Sequence, residues 1–196
     1  MKHTMPAAPR RQGLPLEPGC TRRLALATLA TFGAAIALHA PPARAVTVGE
    51  TLPMRWLESA QGPQPLIAGQ ARLTYVDFWA SWCGPCKQSF PWMNEMQQRF
   101  AANGLRILGV NVDAKRADAE QFLARHPAGF AIVFDREGAF AKSLDVKTMP
   151  TSLLLDPQGR VLFVHQGFAA KDRDALEAAI TGALRGTAAT TTAARP

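Results

Sequence analysis

The chain has 196 residues, 47 % of them hydrophobic and 19 % charged, with a formal net charge of +7. That length suits a domain with a sizeable core. Six of the 22 Lys and Arg residues but only one of the 15 Asp and Glu residues fall in the first 45 positions. The remainder carries +2, and the basic balance gives no support for nucleic-acid binding. Of three cysteines only Cys83 and Cys86 lie beyond that segment, too few for a disulfide-stapled secreted scaffold.

Residues 1–45 read as a secretory signal peptide cleaved after Ala45. Arg22-Arg23 precede an apolar stretch from Leu24 to Leu38, and Ala43-Arg44-Ala45 supplies small residues at alternate positions. The stretch is shorter than the roughly 20 residues a spanning helix needs, and His39, Pro41 and Pro42 close it. Retention as an uncleaved inner-membrane anchor is the alternative. The paired arginines also belong to twin-arginine signals, so the export route stays open between the two. Cys20 precedes the apolar stretch and leaves with the signal.

Residues 46–72 contain Pro53, Gly62, Pro63, Pro65 and Gly69 around short apolar patches such as Met54-Arg55-Trp56-Leu57, which predicts a loosely regular hairpin lead-in. From Leu73 the signals alternate. The pattern predicts strands over 73–79, 105–112, 131–134, 151–155 and 160–166, and helices over about 84–102, 116–126, 138–144 and 172–185. Strands alternating with helices imply an α/β sandwich. Asp156-Pro157-Gln158-Gly159 is a turn signal that makes the last two strands an antiparallel hairpin at one side of the sheet. The Thr/Ala-rich residues 186–196 lack apolar periodicity and are expected to be a disordered tail. The domain proper is therefore residues 46–185.

Trp82-Cys83-Gly84-Pro85-Cys86 follows the apolar run Leu73-Thr74-Tyr75-Val76-Asp77-Phe78-Trp79, which places a dithiol where a buried strand turns into a helix. Two cysteines three apart can close a disulfide across one turn. The first, at the helix N-terminus, has its thiolate stabilised by unpaired backbone N–H groups and the helix dipole. The same spacing occurs in zinc sites, but those need about four ligands. Cys20 and the isolated His126 and His165 cannot supply the rest, so no metal and no cofactor are expected. A static structural disulfide is the other alternative; so short a loop gains little closure entropy.

The segment Val76-Asp77-Phe78-Trp79-Ala80-Ser81-Trp82-Cys83-Gly84-Pro85-Cys86-Lys87 resembles the active-site segment of the thioredoxin superfamily. The N-terminal lead-in, the helix and strand after Asn111-Val112-Asp113, and the run from Val146 to Arg160 are similar to the TlpA/ResA group of exported thiol:disulfide oxidoreductases. The resemblance implies a thioredoxin-like three-layer α/β sandwich with an N-terminal hairpin extension and a central helix/strand insertion.

It also implies roles. Cys83 is the expected nucleophile, solvent-accessible and with a pKa near about 7 as in thioredoxin; Cys86, one turn in, resolves the mixed disulfide. Asp77 sits in an otherwise apolar strand, an expensive place for a carboxylate; the resemblance makes it the buried acid that accepts the Cys86 proton, with a pKa raised toward neutrality. A solvent-facing Asp at the strand end is the alternative. Pro150 is the expected cis-proline opposite the dithiol, leaving the backbone of Met149 free to pair with an extended substrate segment. Trp82, Gly84 and Pro85 complete the substrate-facing surface, whereas Trp79 is core. Pro91 is expected to kink the active-site helix. Gly84-Pro85 is the dipeptide of reducing thioredoxins, so the resemblance implies a periplasmic disulfide reductase. Its substrates are protein disulfides such as apocytochrome c haem-attachment cysteines or oxidase copper-site cysteines, its electron source a membrane donor of the CcdA/DsbD type, and its state monomeric. A DsbA-like oxidant and a copper metallochaperone using both cysteines as soft ligands are the alternatives.

Overall fold

The computed structural model describes residues 44–193, with side chains placed through residue 186. The signal features, Cys20 among them, lie almost wholly outside the described residues. No helix among the described residues is long and apolar enough to cross a membrane.

Seven strands form one sheet. β1 (Trp56–Ser59), β2 (Gln64–Pro65), β3 (Leu73–Trp79), β4 (Leu105–Asn111), β5 (Ala131–Phe134), β6 (Thr151–Leu155) and β7 (Val161–Gln166) lie in the order β2-β1-β5-β4-β3-β6-β7. β3, β4 and β5 are parallel to one another; β6, β7, β1 and β2 join antiparallel. All seven residues of β3 are buried, because this strand has a neighbour on each side and a layer on each face, which explains its unbroken apolar run. The lead-in does form a hairpin, and its first strand extends the sheet by pairing with β5.

Period-two alternation divides β3 between two cores. Leu73, Tyr75 and Trp79 face the core shared with α1 (Gly84–Phe100), α2 (Arg116–Arg125) and α4 (Arg173–Ala193). Val76 and Phe78 face the core closed by α3 (Ala139–Ser143) and by Leu52, Leu57, Leu66 and Ile67 of the lead-in. The result is the three-layer thioredoxin-like sandwich expected, with α2 and β5 as the central insertion. Asp77, between Tyr75 and Trp79 in the alternation, points to the α1 face.

On that face Trp79, Phe90 and Phe122 contact one another with ring centroids 4.9 to 5.0 Å apart. Gly109, opposite Asp77 on β4, makes room for this cluster: a Cβ there would come 2.9 Å from Ile132 Cδ1 and 3.1 Å from Trp79 Nε1. The seat of α1 is thus fixed by large rings over a residue that has no side chain.

One boundary differs. α4 runs on through Ala193, into the segment expected to be a disordered tail. Apolar periodicity is absent there and its threonines and Gly186 are poor helix formers, but a helix already docked by Leu176, Ile180 and Leu184 need not be nucleated again to continue. α1 carries Pro91 inside its span.

Candidate active site

Cys83 is the N-cap of α1 and Pro85 lies in the first turn, where the missing N–H costs nothing. Cys83 and Cys86 are joined by a disulfide. The backbone N–H of Cys86 donates to Cys83 Sγ at 3.1 Å, so a donor of the helix N-terminus already points at the sulfur expected to carry the thiolate. Expected to be solvent-accessible, Cys83 is instead only 3 % exposed, and Cys86 is fully buried. The reason is packing: both disulfide-bonded residues join the α1-side core, against which Met149 also packs. Of the two residues, only Cys83 keeps any exposure.

Asp77 is 1 % exposed, which excludes the solvent-facing alternative. Its flanking same-face neighbours both contact α1, Trp79 through Phe90 and Tyr75 through Trp92 at 5.8 Å, so the carboxyl lies on the sheet face that this helix covers. Ser152 Oγ donates to Asp77 Oδ2 at 2.7 Å, while Oδ1 has no partner. Burial pushes the carboxyl up to about 7, with the Ser152 hydrogen bond acting in the opposite direction. Burial, and then the neighbouring Asp77, push the Tyr75 phenol well above its ordinary range.

The Met149–Pro150 peptide is cis. Pro150 is buried and Met149 half-buried. The Pro150 carbonyl accepts from the Gly167 N–H at 2.7 Å, and Thr151 Oγ1 donates to the Thr148 carbonyl at 2.6 Å, so the loop is held from both ends. Gly167 has φ +80° there, a backbone glycine adopts freely. Trp82 is 70 % exposed, and Gly84 and Pro85 are exposed beside it.

Two groups of residues escaped sequence reasoning. Ser152 is one. The other fixes the loop ahead of Cys83: buried Asp113 accepts from the Ser81 N–H at 2.9 Å and the Ser81 hydroxyl at 3.1 Å. Asn111 in turn donates to Asp113 at 2.8 Å and accepts from its N–H at 3.1 Å. Buried polar groups so fully paired hold one geometry. The only signal for them in the sequence is a hydroxyl or carboxylate next to an apolar strand, without any indication of its partner. Among the described residues no group of three or more His, Cys, Asp and Glu side chains is placed to hold a metal ion.

The Redoxin family matches residues 47–180. The thiol-disulfide oxidoreductase ResA of Geobacillus thermodenitrificans (strain NG80-2) is 32 % identical over 129 residues, 65 % of this chain and 74 % of that protein. ResA of Bacillus subtilis (strain 168) is 28 % identical over 123 residues, 62 % of this chain and 69 % of its own length. Among solved structures, a thiol:disulfide interchange protein DsbE from Chlorobium tepidum superposes with a TM-score of 0.69 and 46 % identity, over 71 % of this chain and 99 % of that one.

Proposed function

The chain belongs to the Redoxin family as a ResA-like thiol:disulfide oxidoreductase of the thioredoxin superfamily, and from that premise we propose that it is an exported, periplasmic disulfide reductase for specific protein substrates. In this reading residues 1–45 are the signal and residues 46–185 the working domain. The Cys83 thiolate attacks one sulfur of a substrate disulfide; that S–S bond breaks, the other substrate sulfur leaves as a thiolate, and a mixed disulfide forms. Cys86 then gives its proton to Asp77 and attacks Cys83 Sγ. The substrate's second sulfur leaves as a thiolate and takes up a proton from water. Two electrons have passed to the substrate, and the chain is left with the Cys83–Cys86 disulfide. Trp82, Gly84, Pro85 and Met149 form the surface on which the substrate segment lies, with Pro150 shaping the loop that carries Met149.

The observation that carries the direction is Gly84-Pro85 between the two cysteines at the N-terminus of α1. Thioredoxin, with that reducing dipeptide, has a potential of about −270 mV, against about −120 mV for the oxidant DsbA, a gap of roughly 7 kcal/mol. A reductant in an oxidising compartment needs recharging, for which a membrane donor of the CcdA/DsbD type is suited. Haem-attachment cysteines of apocytochrome c, or copper-site cysteines of an oxidase, are substrates of the matching chemistry. The test is the reduction potential of the purified protein in defined dithiol buffers. A value below about −230 mV is expected; a value near about −120 mV means that the protein inserts disulfides instead.

A further inference from the structure

Asp77 and Ser152 are 75 positions apart in the chain and directly opposite each other where β3 pairs with β6. Both are almost fully buried. Ser152 is the hydroxyl that β6 turns toward the α1 face ahead of Leu154, and it spends its proton on Asp77 Oδ2 at 2.7 Å. The carboxyl then has one oxygen satisfied and one, Oδ1, buried and without a partner. A hydrogen bond to an ionised carboxylate is stronger than one to its neutral form, so this donor favours the charged acid where burial disfavours it.

We propose that Ser152 is a positioning residue for proton transfer: it occupies Oδ2 and leaves Oδ1 as the oxygen that receives the Cys86 proton. The inference rests on the reading of Asp77 as proton acceptor. The titratable groups on this face are Tyr75 on β3, Cys83 and Cys86 at the start of α1, and His165 on β7, opposite Ser152. Beyond His165 lies Asp172, its Oδ2 3.6 Å from His165 Nε2. Burial and Ser152 are the two causes acting on Asp77, so removing Ser152 leaves burial unopposed.

Two readouts test this on the full chain. One is the single-turnover rate of mixed-disulfide resolution against pH; the other is the titration of the Asp77 carboxyl carbon by NMR in the oxidised protein. Ser152→Ala is expected to move both midpoints upward by about one pH unit, and to slow resolution at pH 7 about fivefold. Ser152→Thr, which keeps the hydroxyl, restores the wild-type midpoints. Ser152→Gly removes the same donor with no bulk added, and gives the same upward shift should the alanine variant fold poorly. His165→Gln leaves the rate midpoint in place; its loss would assign the titration to the imidazole and overturn the proposal. Asp77→Asn separates the two levels. If it abolishes the rate midpoint while Ser152→Ala and Ser152→Gly leave that midpoint unmoved, the role of Ser152 is refuted and that of Asp77 stands. If it leaves the midpoint intact, the acceptor reading fails, and this inference with it.

Discussion

Replacing Asp77 by Asn should make the oxidised protein more stable at alkaline pH and remove a pH dependence of stability that the wild type carries. In the folded chain the carboxyl is pushed up from 3.8 to about 7 by burial. Between those values the native state holds a proton that the unfolded state has lost, so stability falls as pH rises through this window. The contribution is intact below about pH 4 and gone above about pH 7. Three pH units at about 1.4 kcal/mol each make the penalty about 4 kcal/mol at pH 8. An asparagine never ionises, but its amide N–H₂ replaces an oxygen that has no partner and stays unpaired itself, at about 1–3 kcal/mol. The expected net gain for Asp77→Asn is therefore about 1–3 kcal/mol at pH 8, changing to a loss of similar size at pH 4. Urea denaturation of both oxidised proteins, followed by circular dichroism from pH 4 to 8.5, measures the difference. All other groups titrate alike in the two proteins, so curves of stability against pH that run parallel would refute the reasoning.

Cys86→Ser should retain attack by Cys83 but not resolution, and so accumulate covalent mixed disulfides with substrate, detected by mass spectrometry before and after dithiothreitol. Asp113→Ala removes the acceptor of two Ser81 bonds and one Asn111 bond; we expect a loss of about 2–4 kcal/mol in denaturant unfolding and slower exchange, because the loop ahead of Cys83 is no longer tied to β4. Trp82→Ala should change stability by no more than about 0.5 kcal/mol, since the side chain is 70 % exposed. The same change should raise KM for a folded or peptide disulfide substrate several-fold while leaving reduction of a small-molecule disulfide nearly unchanged.

Most of the fold is legible in the chain because its determinants are local. The apolar runs at β3, β5 and β6 coincide with the observed strands residue for residue, and Asp156-Pro157-Gln158-Gly159 turns β6 back into β7. The dithiol is legible too, since a helix start is written in three or four adjacent residues. The overrun of α4 past residue 185 was not, because a composition without apolar periodicity says nothing about whether a docked helix continues.

What sequence alone determined, then, is which residues can do chemistry: a Cys-x-x-Cys at a strand-to-helix turn, and a carboxylate in an apolar strand. Tertiary structure decided how they are poised. The β3–β6 register gave Asp77 a hydroxyl on one oxygen and none on the other. Packing against the core buried both cysteines, Cys86 fully and Cys83 to within 3 %. Ser81, Asn111 and Asp113 closed into a single network across the ends of two strands. Periodicity and motif spacing act over a few residues and can be read along the chain. The charge state of a buried acid depends on what lies beside it, and here that neighbour is supplied by a strand 75 residues away.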